Sequence, residues 1–411
     1  MLKKLLSISF LVFCSLHLIA REQKAVIIIV DGIPADMVER LELPSVYDMA
    51  RQGSYGPSHV GGTVGTYNET PTISAVGYNC MLTGTWANKH NVFGNDNLSP
   101  NYNYWSIFRI AKAQKEPLKT AIFSSWTDNR TVLLGEGKKE TANLEFDFIY
   151  DGYDLDTLNY PHKEYHLHVF DYDEVVSSNA AECIRDNAPD LSWVYLWYTD
   201  DAGHYFGDGE LFDEYAYKAD KQIGMIWDAV KYREKAHNED WMIIVLTDHG
   251  RDYDGFHHGG QSARERGTWI ASNHKLNRYF REGKSAIVDV NPTVCDFLDL
   301  EVPDMVRWEQ DGISLIGKTI VEGLSLSTYD TDVILKWKAG VKSAPVGIYA
   351  AKANEYALSG TEEWIKVAEV NAGVENYRIS LKELGYSPFY KFVVKSEHES
   401  LNLWLNNRRK W

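Results

Sequence analysis

The sequence has few cysteines and no excess of positive charge, and each shortage excludes a class of protein. Only 4 of its 411 residues are cysteine, and Cys14 lies in an apolar leader. The remaining three do not make a disulfide framework, and no CxxC pair indicates a thiolate metal site. Acidic residues outnumber basic ones by 58 to 42, giving a net charge of −16. A general nucleic-acid-binding surface is therefore excluded, and an anionic substrate would need a local positive centre such as a metal ion.

Long apolar segments and low-complexity tracts are also scarce. Beyond the first twenty residues, no segment is apolar enough over a bilayer's thickness to span it. Glycine (30) and proline (12) are too few for a collagen-like or proline-rich chain. Hydrophobic residues (44%) and charged residues (24%) have ordinary globular values, which excludes wholesale disorder. The length predicts two or three domains, or one large α/β domain and a small one.

Residues 1–20 have the order of a secretory signal peptide. Lys3 and Lys4 precede the apolar residues 5–19, and Ala20 is a candidate cleavage point. Leu18 is larger than the small residue usual two positions before a cut, so an uncleaved anchor is the alternative. We expect a mature chain that works in the periplasm or outside the cell.

Apolar, β-branched runs alternate with helical patterns over most of the chain. Such continuous runs are typical of strands buried on both faces of a parallel sheet. They read AVIIIV at 25–30, TAIF at 120–123, WVYLW at 193–197, WMIIVL at 241–246 and WIA at 269–271. Residues 211–232 have apolar positions at helical spacing. We predict a doubly wound, mostly parallel α/β sheet in residues 21–324.

After residue 325 the pattern changes to short strand-like runs separated by turn residues. The runs lie at 333–337, 346–349, 364–370, 377–381 and 390–394. No strong helical pattern separates them. Residues 325–411 are therefore predicted to form a small all-β sandwich at the C-terminus.

Metal-ligand side chains follow three of the predicted strands. Asp31 follows the first strand, Asp200 and His204 follow the third, and Asp248 and His249 follow the fourth. Parallel sheets bind ligands beyond the carboxyl ends of their strands. Carboxylate and imidazole ligands suit zinc, with manganese or iron as alternatives. Two such ions could clamp a phosphoryl group and activate a nucleophile.

Each of these residues also has an ordinary explanation when taken singly. Asp31 is a typical turn residue, and His204 could be a surface residue at a helix start. The pair His257-His258, in the loop that follows, could be solvated. Their joint occurrence after strands favours a metal centre.

The segment PTISAVGY, residues 71–78, contains the candidate nucleophiles Thr72 and Ser74. A hydroxyl at a helix N-terminus lies at the positive end of the helix dipole, which favours phosphate. A metal-bound hydroxyl is also readily deprotonated. Both residues are equally ordinary helix caps, and the residue pattern does not separate the two roles.

Together these motifs resemble the alkaline phosphatase superfamily and, within it, the type I phosphodiesterase/nucleotide pyrophosphatase family. The resemblance covers about residues 24–318. VIIIVDG is similar to the family's first strand and metal-binding Asp, DDAGH to its Asp-x-x-Gly-His, and TDHG to its Ser/Thr-Asp-His-Gly. PTISAVGYNCMLTGTWANKHNVFGN is similar to the nucleophile segment. The resemblance implies an alkaline phosphatase-like fold and cleavage of phosphodiester or pyrophosphate bonds.

The resemblance also implies two zinc ions and assigns their ligands. Asp200, His204 and His258 would hold the first ion, and Asp31, Ser74, Asp248 and His249 the second. His258 is preferred to His257 because it precedes Gly259, as the family's last ligand precedes a glycine.

The nucleophile and an anion-binding residue follow from the same alignment of motifs. Thr83-Gly84 matches the family's Thr-Gly, which assigns the nucleophile to Ser74, where the family more often has Thr. Thr72 is then one hydroxyl too early. Asn95 matches the family's Asn that hydrogen-bonds a phosphoryl oxygen, although it would serve equally as a turn residue.

Departures from related enzymes narrow the expected reaction. Ser74 is followed by Ala75 and Val76, whereas sulfatases need Cys/Ser-x-Pro-x-Arg. Phosphate monoesterases of the superfamily place cations, for example a Lys-x-Arg pair, over the terminal phosphate. The corresponding region here reads SWTD at 125–128, with Arg130 as the nearest cation. This favours diesters, and Trp126 there would stack on a flat group or serve in packing.

We therefore expect a secreted two-zinc phosphodiesterase that forms a phospho-serine intermediate. Its substrate would be a small-molecule, nucleotide or lipid-headgroup diester. The alternatives are a phosphate monoesterase or phosphonate hydrolase of the same superfamily, a phosphotransferase to a glycan or lipid alcohol, and a protein with a decayed metal site. The C-terminal domain resembles a fibronectin type III-like module that could bind glycan or a second copy, or cap the catalytic domain.

Overall fold

A computed structural model describes residues 21–407, and the expected signal peptide lies outside them. Within this range no helix combines the length and the apolar character needed to cross a membrane. The strands are β1 Glu22–Val30, β2 Ser54–His59, β3 Thr120–Ser124, β4 Phe148–Tyr150, β5 Leu191–Leu196, β6 Glu239–Leu246, β7 Gly267–Ser272, β8 Val321–Tyr329, β9 Asp332–Ala339, β10 Pro345–Ala351, β11 Ile365–Asn371, β12 Asn376–Ser380, β13 Phe389–Lys395 and β14 Ser400–Asn406.

The helices lie mostly between the strands of the first three quarters of the chain. They are α1 Ala35–Leu41, α2 Pro44–Gln52, α3 Ser74–Thr83, α4 Ala87–His90, α5 Ile107–Lys112, α6 Leu167–Asn187, α7 Tyr198–Phe206, α8 Glu210–Ala236, α9 Ala263–Arg266, α10 Arg278–Arg281, α11 Val290–Phe297, α12 Asp304–Arg307, α13 Tyr356–Ser359 and α14 Leu381–Leu384.

The first seven strands form one sheet in the order β2-β7-β6-β1-β5-β3-β4. The five strands from β6 to β4 are parallel, and Val26 of β1 pairs with both Ser192 of β5 and Ile243 of β6. The WIA run lies in β7, which is antiparallel to both β6 and β2. The predicted doubly wound, mostly parallel sheet is confirmed, with an antiparallel pair at one edge.

Both faces of this sheet are covered, which explains the unbroken apolar run of β1. Ile27 and Ile29 pack on the face that carries α3, α5 and α11. Val26 and Ile28 pack on the opposite face with α2, α6 and α8. A fully buried Val or Ile contributes about 1.5–3 kcal/mol, so alternate residues of one strand support both layers.

Residues beyond 320 form two antiparallel sheets, β11-β10-β13-β14 and β12-β9-β8. Leu335 and Trp337 of β9 share one core with Ile348 and Phe392 of the other sheet. The predicted C-terminal β domain is therefore present. Strand β8 includes residues on both sides of the predicted domain boundary at 324/325. That boundary and the likeness to a fibronectin type III module stay predictions.

A buried ion cluster joins the two domains. Lys391 of β13 is 1% exposed, and its Nζ lies 2.5 Å from Glu309 Oε1 and 2.6 Å from Glu362 Oε2. Burial raises the pKa of Glu309, while Lys391 opposes that shift. Removing one partner of such a cluster leaves an uncompensated buried charge.

Replacing Lys391 by Met should lower the free energy of unfolding by about 3 kcal/mol, because Glu309 and Glu362 stay buried without their cation. Urea unfolding measures the loss. Lys336→Met, at an exposed position of β9, is the matched control and should change stability by less than about 0.5 kcal/mol. Equal losses in the two variants would contradict the assignment.

Candidate active site

The strands that precede the candidate ligands are neighbours in the sheet. β6, β1 and β5 lie side by side and run in the same direction, so their carboxyl ends meet at one edge. Asp31 directly follows β1, and Asp248 lies two residues after β6. Helix α7 begins after β5 and presents Asp200 and His204 one turn apart, on the same face.

Six of the seven expected ligands offer a carboxylate or imidazole, and these six lie together. Two clusters have ligand atoms within 4.8 Å of one another: Asp31 with Asp248 and His249, and Asp200 with His249 and His258. His204 Nε2 lies 3.2 Å from both Asp200 Oδ2 and His258 Nε2. His249 belongs to both clusters, whereas the resemblance assigned it to one ion. His257 is exposed and lies in neither.

Ser74 and Thr72 have different surroundings. Ser74 is the first residue of α3, and its Oγ lies 3.3 Å from His249 Nε2. The Thr72 hydroxyl donates to the Gly260 carbonyl at 2.9 Å and accepts the Gly259 N–H at 3.0 Å. Thr72 thus ties down the loop that carries His258, and Ser74 faces the clusters.

Asn95 lies beside the N-terminus of α3. Its side-chain oxygen accepts the backbone N–H of Ala75 at 2.9 Å. This bond fixes the amide against the first turn of the helix that begins at Ser74. The amide nitrogen, which has no recorded hydrogen bond among residues 21–407, is the group left to donate to an anion.

Arg251 is a site residue that the motif analysis did not single out. It is fully buried, and its Nη2 lies 2.5 Å from Asp200 Oδ1. Its Nε donates to the Gly32 carbonyl at 3.1 Å, which joins the turn after β1 to α7. Although burial opposes the charge of Asp200, Arg251 and His204 lower the pKa of that carboxyl.

The same guanidinium explains the glycine of the DDAGH motif. A Cβ added to Gly203 would lie 2.2 Å from Arg251 Cζ. No side chain fits there while Arg251 stays on Asp200. The glycine is required by close packing behind the site.

Two buried tyrosines orient Asp31. Tyr78 of α3 and Tyr195 of β5 both donate to Asp31 Oδ2, Tyr195 at 2.7 Å. The other oxygen, Asp31 Oδ1, has no hydrogen-bond partner within the described chain. Asp248 is similar: Oδ1 accepts the Gly32 N–H at 3.2 Å, and Oδ2 is buried without a hydrogen bond.

These unpartnered oxygens test whether the residues suit metal ions. A buried acceptor without a donor costs about 1–3 kcal/mol, and more when it is charged. Both oxygens border the His249 imidazole, at 3.4 Å from Asp31 Oδ1 and 3.3 Å from Asp248 Oδ2. Carboxylate oxygens and imidazole nitrogens are the ligands that zinc prefers outside thiolate sites. The residues therefore fit divalent cations.

The pKa directions show the same need for positive charge. Burial and the neighbouring Asp31 raise the pKa of Asp248 well above its usual value. Burial opposes a charge on His249, but Asp248 and Asp31 raise its pKa to about 9. Burial and the nearby His249 lower the pKa of His258 to about 4. The carboxylates repel one another, and a cation among them would remove that cost.

A cavity of about 380 Å³ opens onto these groups. Its lining includes the half-buried Trp126 and Trp197 and the carboxyls Asp96 and Asp201. Of the candidate ligands, it includes Asp31, Ser74, Asp200 and His204. No Lys or Arg is among its lining residues within 21–407. Arg130 is paired with Asp151 and Glu136 instead, as its contacts show.

The model of the family described as type I phosphodiesterase/nucleotide pyrophosphatase matches residues 25–299. This match spans the sheet and every candidate site residue described above. The chain belongs to this family. Type I phosphodiesterases are hydrolases of phosphoric esters within the alkaline phosphatase superfamily, and members use divalent metal ions.

Among the solved structures that are similar to this chain are three proteins whose names give different activities. Human ectonucleotide pyrophosphatase/phosphodiesterase 5 is 13% identical to this chain. The alignment covers 68% of this chain and 96% of the human chain, with a TM-score of 0.48. A 2-O GAG sulfatase is 11% identical over 88% and 86%, with a TM-score of 0.49. Sinorhizobium meliloti phosphonoacetate hydrolase is 17% identical over 56% and 57%, with a TM-score of 0.41. No curated protein matches significantly.

In this family member, Gly203→Ala should lower the free energy of unfolding by at least about 2 kcal/mol and reduce the metal content, because the new methyl group displaces Arg251 from Asp200. Thermal unfolding and atomic emission of the purified protein measure both. Gly94→Ala, where an added Cβ meets no atom within 4 Å, is the steric control and should leave stability unchanged. A fully stable, metal-replete Gly203→Ala variant would show that Arg251 is not needed.

Proposed function

We propose that the protein hydrolyses phosphodiester bonds with two divalent cations, zinc above all, and Ser74 as the nucleophile. The observation that carries the proposal is the place of the Ser74 hydroxyl. It stands at the N-terminus of α3, 3.3 Å from the imidazole that belongs to both ligand clusters. A phosphoryl group bound there would meet the positive end of the helix dipole.

The two ions would be held by the residues of the two clusters together with His204 and Ser74. Bound there, divalent cations supply Lewis-acid stabilisation of phosphoryl oxygens and lower the pKa of a coordinated hydroxyl. Manganese or iron would suit the same ligands less well. The chain's own contribution is to keep the Asp31, Asp200 and Asp248 carboxylates buried and oriented.

The reaction proceeds in two displacements at phosphorus. Ser74 Oγ loses its proton and forms a bond to phosphorus while the bond to the leaving-group oxygen breaks; that oxygen takes up a proton and departs as an alcohol. Water then loses a proton and attacks the phospho-serine, the Oγ–P bond breaks, and Oγ takes up a proton, which releases a phosphate monoester and restores Ser74. The Asn95 amide N–H donates to a phosphoryl oxygen as its negative charge grows.

The charge of the cavity favours diesters over monoesters. A monoester dianion carries one more negative charge than a diester, and that charge would need cations over the terminal oxygens. The cavity's described lining has the exposed carboxyl of Asp96 but no Lys or Arg, and Arg130 is paired with its own acids. Burial and the neighbouring Asp200 raise the pKa of Asp201 to about 8, so Asp201 adds no positive charge either. Like charges placed close together in such a cavity disfavour binding.

We further propose that the enzyme acts outside the cytoplasm. The lysines and apolar run of residues 1–20 support export. A small-molecule, nucleotide or lipid-headgroup diester would then be met in the periplasm or beyond the cell.

Ser74→Ala should lower kcat by at least about 10³-fold while the metal clusters keep their ions, because the attacking atom alone is lost. Phosphodiester turnover and zinc content of the same preparation are measured together. Ser74→Thr keeps a hydroxyl and should retain turnover. Full activity of Ser74→Ala would sink the nucleophile assignment, and loss of zinc would make Ser74 chiefly a metal ligand.

Bis-p-nitrophenyl phosphate should be cleaved with a kcat/KM at least about tenfold above that of p-nitrophenyl phosphate, a difference of about 1.4 kcal/mol. Asp96→Lys adds a cation to the cavity wall, so it should lower the ratio of kcat/KM for the diester to kcat/KM for the monoester. Preference for the monoester would support the phosphatase alternative. Inertness towards both esters would favour transfer of the phospho-group to an acceptor alcohol.

A further inference from the structure

The loop that carries Asn95 is closed on itself at its base. We call residues 91–101 the Asn95 loop. The Asn101 N–H donates to the His90 carbonyl at 2.9 Å, and Asn91 Nδ2 donates to the Ser99 carbonyl at the same distance. From this base the loop reaches the N-terminus of α3, where Asn95 accepts the Ala75 N–H. The hydrogen bonds at the base of the Asn95 loop therefore help to set the position of Asn95.

Lys89, two residues before the Asn95 loop, contacts both the C-terminal domain and residues 309–311 at the end of the catalytic domain. The Lys89 side chain is fully buried, and its Nζ lies 2.7 Å from Asn402 Oδ1 of β14. The same Nζ donates to the Glu309 carbonyl at 2.7 Å and to Asp311 Oδ1 at 2.6 Å. A buried ammonium with three acceptors is satisfied and fixed in position.

The residues at the other end of the loop contact the same domain. Asn101 Nδ2 and Asn103 Nδ2 both donate to the Ala357 carbonyl, at 2.8 and 3.1 Å. The Tyr104 ring packs edge-on against Tyr356, with 5.2 Å between centroids. Both ends of the Asn95 loop thus lie on α13 or β14.

The segment that enters α3 is held in the same way. The Tyr67 ring stacks on Trp404 of β14 at 5.4 Å, and the Trp404 backbone N–H donates to the Tyr67 hydroxyl at 3.1 Å. Tyr67 lies seven residues before Ser74 in the sequence. The C-terminal domain therefore contacts the chain both before and after the helix that presents the nucleophile.

We propose that the C-terminal β domain is a positioning part of the catalytic centre, holding Asn95 at the nucleophile through the base of the Asn95 loop. This inference rests on the proposed function, in which Asn95 donates to a phosphoryl oxygen. Fixing one residue's backbone costs about 1–2 kcal/mol, and Asn95 itself is exposed. Asn95 has no buried side chain that could hold the loop in one conformation. The buried contacts of Lys89 and Tyr104, on either side of the loop, stabilise that conformation instead. Asn402 is then a positioning residue that acts through Lys89 and the loop.

A double-mutant cycle between Asn402 and Asn95 tests this coupling in the full-length, zinc-loaded enzyme. Asn402→Leu removes the acceptor for Lys89 together with the Nδ2 donor to the Gln310 carbonyl. It should lower kcat for bis-p-nitrophenyl phosphate about tenfold, since small displacements of a catalytic group are costly. In an Asn95→Ala background the same substitution should have almost no further effect. Asn402→Asp keeps an oxygen for Lys89 and should restore most of kcat.

Two further variants separate positioning from general loss of stability. Lys395→Ala breaks the pair with Asp304 that crosses the same domain junction without touching the loop, and it should leave kcat unchanged. Should Asn402→Leu fail to fold, Asn101→Ala with Asn103→Ala removes the two donors to Ala357 and takes its place in the cycle. Zinc content and thermal unfolding are recorded for every variant.

Each result supports or overturns the inference. Non-additive losses in kcat, with zinc content retained, support it. Equal losses from Asn402→Leu in both backgrounds, or an equal loss from Lys395→Ala, overturn it while the proposed function stands. If Asn95→Ala leaves kcat unchanged, the role of Asn95 in the proposed function fails and the inference fails with it, whereas loss of activity in Ser74→Ala would still support the nucleophile.

Discussion

Mutual repulsion among buried carboxylates is the constraint on which the rest of this structure depends. Three parallel neighbouring strands end at one edge and bring Asp31, Asp200 and Asp248 together below the surface. Such a group is stable only if each oxygen has a donor or a cation. The tyrosine hydroxyls on Asp31, the guanidinium on Asp200 and the shared imidazole of His249 each meet part of that need. The two oxygens left over, on Asp31 and Asp248, mark where one metal ion fits.

The same constraint explains why residues far apart in sequence are packed so tightly. Arg251 reaches Asp200 only because Gly203 has no side chain, and it joins α7 to the turn after β1. Thr72 holds the His258 loop through two backbone bonds. The hydroxyl of Ser74 needs none of these supports, since the start of α3 sets its position. The supports belong to the ligands, and the nucleophile is left free to react.

Sequence reasoning predicted the sheet and the candidate ligand edge by two different signals, and the family resemblance assigned Ser74, Asn95 and His258. The unbroken apolar runs of β1, β5 and β6 predicted buried parallel strands, and the polar residues just after them predicted the ligand edge. Strands β2, β4, β8 and β14 were missed, because β4 has only three residues and the other three lack a continuous apolar run. Arg251 was missed as well, although it follows TDHG directly, because a lone arginine carries no periodic signal. The contacts between Lys89 and Asn402 join residues 313 apart, and no local pattern reports such a pair.

Arg251 also decides which part of the site depends on an external cation. A permanent guanidinium charge compensates Asp200 within the folded chain itself, whereas the unpartnered oxygens of Asp31 and Asp248 wait for an outside cation. The charge of Asp200 is thus compensated by the folded chain itself, whereas Asp31 and Asp248 depend on a cation from the surroundings. The proposed ions would therefore contribute most to the Asp31 and Asp248 half of the site, where the chain itself supplies only the His249 imidazole.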